Sequence, residues 1–72
     1  MKMKKTINVK NTVLNVLYEA TSFHGINYCV ATHANSNAAF LFDDNNSKGE
    51  WYLLDLGSAE KMIEKANRCC EY

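Results

Sequence analysis

Apolar and polar positions follow two different rhythms along this chain. At 6–10, Ile7 and Val9 alternate with polar residues, the pattern of a short strand or a loose arm. Between 12 and 24 the apolar residues Val13, Leu14, Val16, Leu17, Ala20 and Phe23 fall on one broad side when projected at about 100° per residue. Asn15, Glu19 and Ser22 fall on the other side. That spacing predicts a helix over 12–24, with Asn11 as N-cap and Gly25 as C-cap. Three runs rich in β-branched and aromatic residues follow, at 26–33, 38–43 and 50–56. Between them, 34–37 and 44–49 are rich in Asn, Asp, Ser and Gly, which favour turns. Connections this short predict an antiparallel meander. Gly57-Ser58 then opens a second helix, with Ser58 as N-cap and Glu60 in the first turn, where an acid complements the helix dipole. In that helix Ala59, Met62, Ile63, Ala66, Cys69 and Cys70 share one side, and Glu60, Lys61, Glu64, Lys65 and Arg68 the other.

The elements predict an α+β fold in the order α-β-β-β-α. Three antiparallel strands form a meander, two helices pack on one of its faces, and an extra N-terminal strand is possible. The chain divides into a basic arm or short strand at 1–10 and a single domain at 11–72. Period-2 counting sorts the strand residues between the two faces. Ile26, Tyr28, Val30, Phe40, Phe42, Tyr52, Leu54 and Leu56 make the heavier set and are expected beneath the helices. The opposite face then carries Cys29, Ala31, Leu41, Trp51 and Leu53, with His33, Asp43 and Asp55 toward the strand ends. An open sheet face normally alternates to polar residues, and this one does not. It reads as an apolar patch around the only Trp.

Composition narrows the functional classes. A chain of 72 residues holds one core. Eight basic residues balance eight acidic ones, which argues against nucleic-acid binding by bulk electrostatics. Three cysteines are an odd number, and adjacent Cys69 and Cys70 do not readily bond each other, so a reducing cytoplasm fits better than a secreted disulfide scaffold. No run approaches the ~20 apolar residues of a membrane span. Nine asparagines, with seven lysines against one arginine, suggest an AT-rich coding sequence and hence a viral or mobile-element gene.

Candidate chemistry is sparse. His24, Cys29 and His33 match no standard ligand spacing, and structural zinc needs four converging donors, so no metal or other cofactor is expected. Cys69 and Cys70 sit on the apolar side of their helix, where a free Cys behaves as a small hydrophobe. His33 with Asp43 or Asp55 is the one acid–base pair that strand geometry could bring together. A small meander offers it little concavity, and no catalytic motif is present.

The α-β-β-β-α order over 11–72 resembles the double-stranded RNA-binding domain. Glu19 lies on the outer side of the first helix, His33 leads into the first hairpin turn, and Gly57-Ser58 precedes the second helix. The resemblance implies phosphate contacts from the start of the second helix. This chain has Ala59 and Glu60 there, followed by Lys61 and Lys65.

The expected function is a small, non-enzymatic, cytoplasmic protein-binding module. It would be a viral or mobile-element inhibitor or modulator of a host protein, such as a bacterial defence complex in the manner of anti-CRISPR proteins. Trp51, Leu53, Leu41 and Ala31 would form the contact, rimmed by His33, Asp43 and Asp55, because Trp is a common interface anchor. The alternative is nucleic-acid binding through Lys4, Lys5, Lys10, Lys61, Lys65 and Arg68. A third possibility is a homodimeric structural subunit joined through the same apolar face. No membrane partner is expected.

Overall fold

In the computed structural model, which describes residues 5–33, 37–44 and 50–70, Lys10 and Asn11 both take left-handed backbone, with φ of 50° and 65°. Two successive residues of that kind make the tight turn whose twist matches a β-hairpin. The turn joins β1 (Thr6–Val9) to β2 (Thr12–Thr21), with Val9 opposite Thr12 and Ile7 opposite Leu14. Asn11 is therefore a turn residue and caps no helix.

The helix expected over 12–24 is the long strand β2 and the loop that follows it. Its composition favours extension: Thr12, Val13, Val16 and Thr21 are β-branched, and Tyr18 is aromatic. The helical spacing has a physical origin. Val16 pairs with Ala31 and Tyr18 with Val30, so Leu17 is an inserted residue, a bulge. Leu14 and Val16 point to one face of the sheet, and beyond the bulge Tyr18 and Ala20 point to the other. A strand that changes face midway spaces its apolar residues as a helix does. Gly25, expected to end that helix, instead sits in the loop between β2 and β3 with φ of 85°. Ser22 organises this loop. Its amide donates to Ile26 O, its carbonyl accepts from Gly25 N, and its hydroxyl accepts from Ile26 N at 3.0 Å.

β3 (Asn27–Thr32), β4 (Ala39–Asp43) and β5 (Tyr52–Gly57) complete one antiparallel sheet in the order β1-β2-β3-β4-β5. The turns expected at 34–37 and 44–49 lie largely outside the described residues. Among the described residues, five strands thus replace the expected three, and a single helix, α1 (Ala59–Cys70), replaces the expected two. Ser58 caps α1: its carbonyl accepts from Met62 N at 3.0 Å and its hydroxyl from Lys61 N at 3.3 Å.

α1 covers one face of the sheet. Met62 and Ala66 are buried against Tyr28, Val30, Ala39 and Leu41, with Ile63, Cys69 and Cys70 packed around them. Tyr18 donates from its hydroxyl to Asn67 Oδ1 at 2.5 Å, and Lys65 Nζ meets Asp55 Oδ2 at 2.7 Å, which ties the helix to β2 and β5. The opposite face holds a second cluster of Leu14, Cys29, Ala31 and Phe42, with Ile7, Val9, Val16, Phe40 and Trp51 against it. No residue of α1 belongs to that cluster. Among the described residues, no helix is long and apolar enough to cross a membrane.

Candidate functional site

The helix-free face is an apolar surface with a groove across it. A concavity of about 940 Å³ runs between the β1–β2 hairpin and the start of β5. Leu14, Phe40, Phe42 and Trp51 form its floor, and Val9 and Leu53 flank it. The rings of Phe40 and Phe42 lie 6.3 Å apart and tilted, within the range of favourable aromatic pairs. Leu53 is 53% exposed and Leu56 58%, so apolar surface continues along β5. Polar residues rim the groove: Asn8, Lys10, Asn11, Thr12 and His33 on one side, and Glu50 on the other.

Register decides which expected contact residues belong here. Ala31, Trp51, Leu53 and His33 lie on this face. Leu41, Asp43 and Asp55 do not. Leu41 is opposite Val30 in the ladder and fully buried under α1. Asp43 is buried opposite Tyr28 and Tyr52. Asp55 sits opposite Leu41 and pairs with Lys65 of the helix. Both alternating sets of β4 carry apolar residues, Phe40 and Phe42 in one and Ala39 and Leu41 in the other, and period-2 counting favours the heavier pair for the helix side. The structure places β4 one residue away from the expected phase. Phe40 and Phe42, expected beneath the helices, line the groove instead.

β5 adds a second change of face. Leu41 pairs with Asp55 and Phe42 with Leu53, so Leu54 is an inserted residue. Leu53 and Leu56 consequently share the helix-free face, opposite Phe42 and Phe40. This explains why Leu56, expected in the core, is exposed. The bulge also blunts an edge strand, and Asp55 adds to that by accepting from Leu56 N through Oδ1 at 2.8 Å. Hydrogen bonds first from Lys65 and then from the Leu56 amide hold the Asp55 carboxyl below the usual carboxylate range.

The electrostatics of the candidate cations are mostly local. Lys5 Nζ bonds Glu19 Oε1 at 2.8 Å, which raises the ammonium pKa. Arg68 bonds Glu64 at 2.6 Å and Lys65 bonds Asp55. Three of the five described cations are therefore already matched with a carboxylate. Lys61, Lys65 and Arg68 border a shallow depression of α1 together with Asp55 and Glu64, whereas Lys10 lines the groove on the other side of the sheet. The proposed nucleic-acid residues are not brought into one patch, and Lys4 lies outside the described residues.

His33 does not meet either aspartate, because Asp43 and Asp55 face the helix side. Cys29 is fully buried behind the groove, and burial, reinforced by the nearby Glu19 charge, pushes its thiol up to about 11. Burial likewise raises Cys70, with neighbouring Cys69 adding to it. Among the described residues no three His, Cys, Asp or Glu side chains converge as a metal-binding group.

The sequence reading missed Leu14 and the hairpin turn as parts of the site. A signal was present: Lys10-Asn11 stands between two alternating segments, Ile7/Val9 and Leu14/Val16, as a two-residue hairpin turn would. Comparisons of this chain with known protein families, with curated proteins and with solved structures find no match.

Proposed function

We propose that this chain is a small protein-interaction module that works through the helix-free face of its sheet. The observation that carries this reading is the apolar groove floored by Leu14, Phe40, Phe42 and Trp51, continuous with exposed Leu53 and Leu56. Contiguous apolar surface rimmed by polar residues is what partner proteins cover, and aromatic side chains dominate the energetics of such contacts. The alternative of phosphate binding is weakened by the ion pairs of Lys5, Lys65 and Arg68, since phosphate would have to displace a carboxylate from each. The bias of the sequence toward Asn and Lys supports a virus or mobile element as its source, and a host protein as the target it modulates.

The test is a tagged capture from host lysate with nuclease present, comparing the native chain with Leu53→Asp. Leu53 is half exposed, so the variant keeps the fold, checked by circular dichroism. A stoichiometric protein held by the native chain and lost with Leu53→Asp supports the reading. Retention of every recovered protein by the folded variant, or recovery that depends on nucleic acid, overturns it.

A further inference from the structure

We propose that the helix-free face docks a second copy of this chain about a two-fold axis, with Lys10 of each protomer meeting Glu50 of its partner. This rests on the reading of that face as a protein interface and names its occupant.

The argument comes from the placement of charge around the groove. Lys10 lies in the β1–β2 turn, beyond the end of the ladder where Asn15, Thr32, Ala39 and Gly57 stand side by side. Glu50 precedes β5, at the opposite end, where Tyr28, Asp43 and Tyr52 are neighbours. Both residues line the same groove, and the four steps from Ala39 to Asp43 along β4 span roughly 14 Å between its two ends. Lys5 and Glu19 also lie on this face near Trp51 but neutralise each other, so the groove is apolar in the middle with a cation, Lys10, at one end and an anion, Glu50, at the other. A face of that design is complementary to itself. Rotation by 180° about an axis through its centre brings the apolar floors together and sets each cation opposite an anion.

Two further observations agree. The three ion pairs among the described residues engage Lys5, Lys65 and Arg68 and include neither Lys10 nor Glu50. The formal net charge is zero, so two copies meet without long-range repulsion. Pairing through the β5 edge is disfavoured by the Leu54 bulge and by the Asp55 carboxylate on the Leu56 amide. Docking face to face hides apolar surface that α1 leaves open. It would also set a threshold for any other partner, which must displace the second copy.

Sedimentation equilibrium at low salt on the full chain is the experiment, with Lys10→Glu, Glu50→Lys, the double exchange and Leu53→Asp. The native chain should sediment at twice its chain mass. Each single reversal should weaken dimerisation about tenfold, because the symmetry turns two attractive contacts into two repulsive ones. The double exchange should restore it, and Leu53→Asp should give a folded monomer. A native chain that remains monomeric, a double exchange that rescues nothing, or a dimer untouched by Leu53→Asp overturns the proposal. If the chain is monomeric but Leu53→Asp abolishes capture of a foreign protein, the dimer falls and the interface reading survives.

Discussion

Cys29 shows at the scale of one residue how the sheet treats its helix-free side. Its neighbours on that face include Leu14, Ala31 and Phe42, all buried, and its thiol is fully enclosed although no helix lies above it. Alkylation at neutral pH with a small iodoacetamide reagent, read by mass spectrometry, should label Cys69 and Cys70, which are partly exposed, and spare Cys29 until the protein is denatured. The raised thiol also gives a signed pH dependence. The folded state holds the Cys29 proton up to about 11, whereas the unfolded chain releases it near the ordinary value of 9.0. Between those two values the native state binds more protons, so stability falls as pH rises through that window. Cys29→Ala should flatten the alkaline limb of denaturant midpoint against pH, while the limb at neutral pH stays level.

The hairpin and the bulges decide matters at the scale of elements. Asn11 at φ of 65° is tolerable because Asn enters the left-handed region at little cost, and a β-branched residue does not. Asn11→Val should lower stability by about 1–3 kcal/mol, and Asn11→Gly should leave it unchanged or slightly higher, both measured by urea unfolding. The bulges at Leu17 and Leu54 mattered more for the reading of the sequence. Each moves the apolar positions of its strand from one face to the other, and no local pattern announces an inserted residue. The spacing of β2 consequently imitates a helix, and in β5 the alternation inverts from Asp55 onward, which sends Asp55 to the helix side and Leu56 to the open face. α1 was legible because its two sides differ so sharply and because Ser58 and Glu60 mark its start.

At the scale of the whole molecule, a single sheet has two unequal faces, one covered by α1 and one that α1 leaves open. The inequality is measurable. Leu41 lies in the centre of the covered face and is fully buried, so Leu41→Ala should cost about 2–5 kcal/mol in unfolding free energy. Leu53 lies half exposed on the other face, and Leu53→Ala should change the stability of the isolated monomer by less than about 0.5 kcal/mol. Urea unfolding of both variants at a concentration that favours monomer separates the faces. Equal losses would mean that Leu53 is core.

What the sequence determined by itself was local: the C-terminal helix and its cap, the extended character of β3, β4 and β5, and an apolar sheet face around Trp51. Those follow from contacts between near neighbours along the chain, where hydrophobic period and capping chemistry are enough. The pairing of β1 with β2, the phase of β4 and the parity changes at Leu17 and Leu54 belong to the tertiary structure. One phase of β4 offers Phe40 and Phe42 and the other Ala39 and Leu41, so local counting prefers the larger pair for the core. Only the fit of Leu41 against Val30 beneath Met62 and Ala66 chooses between them. That choice sends Phe40 and Phe42 to the helix-free face, and it puts the groove there.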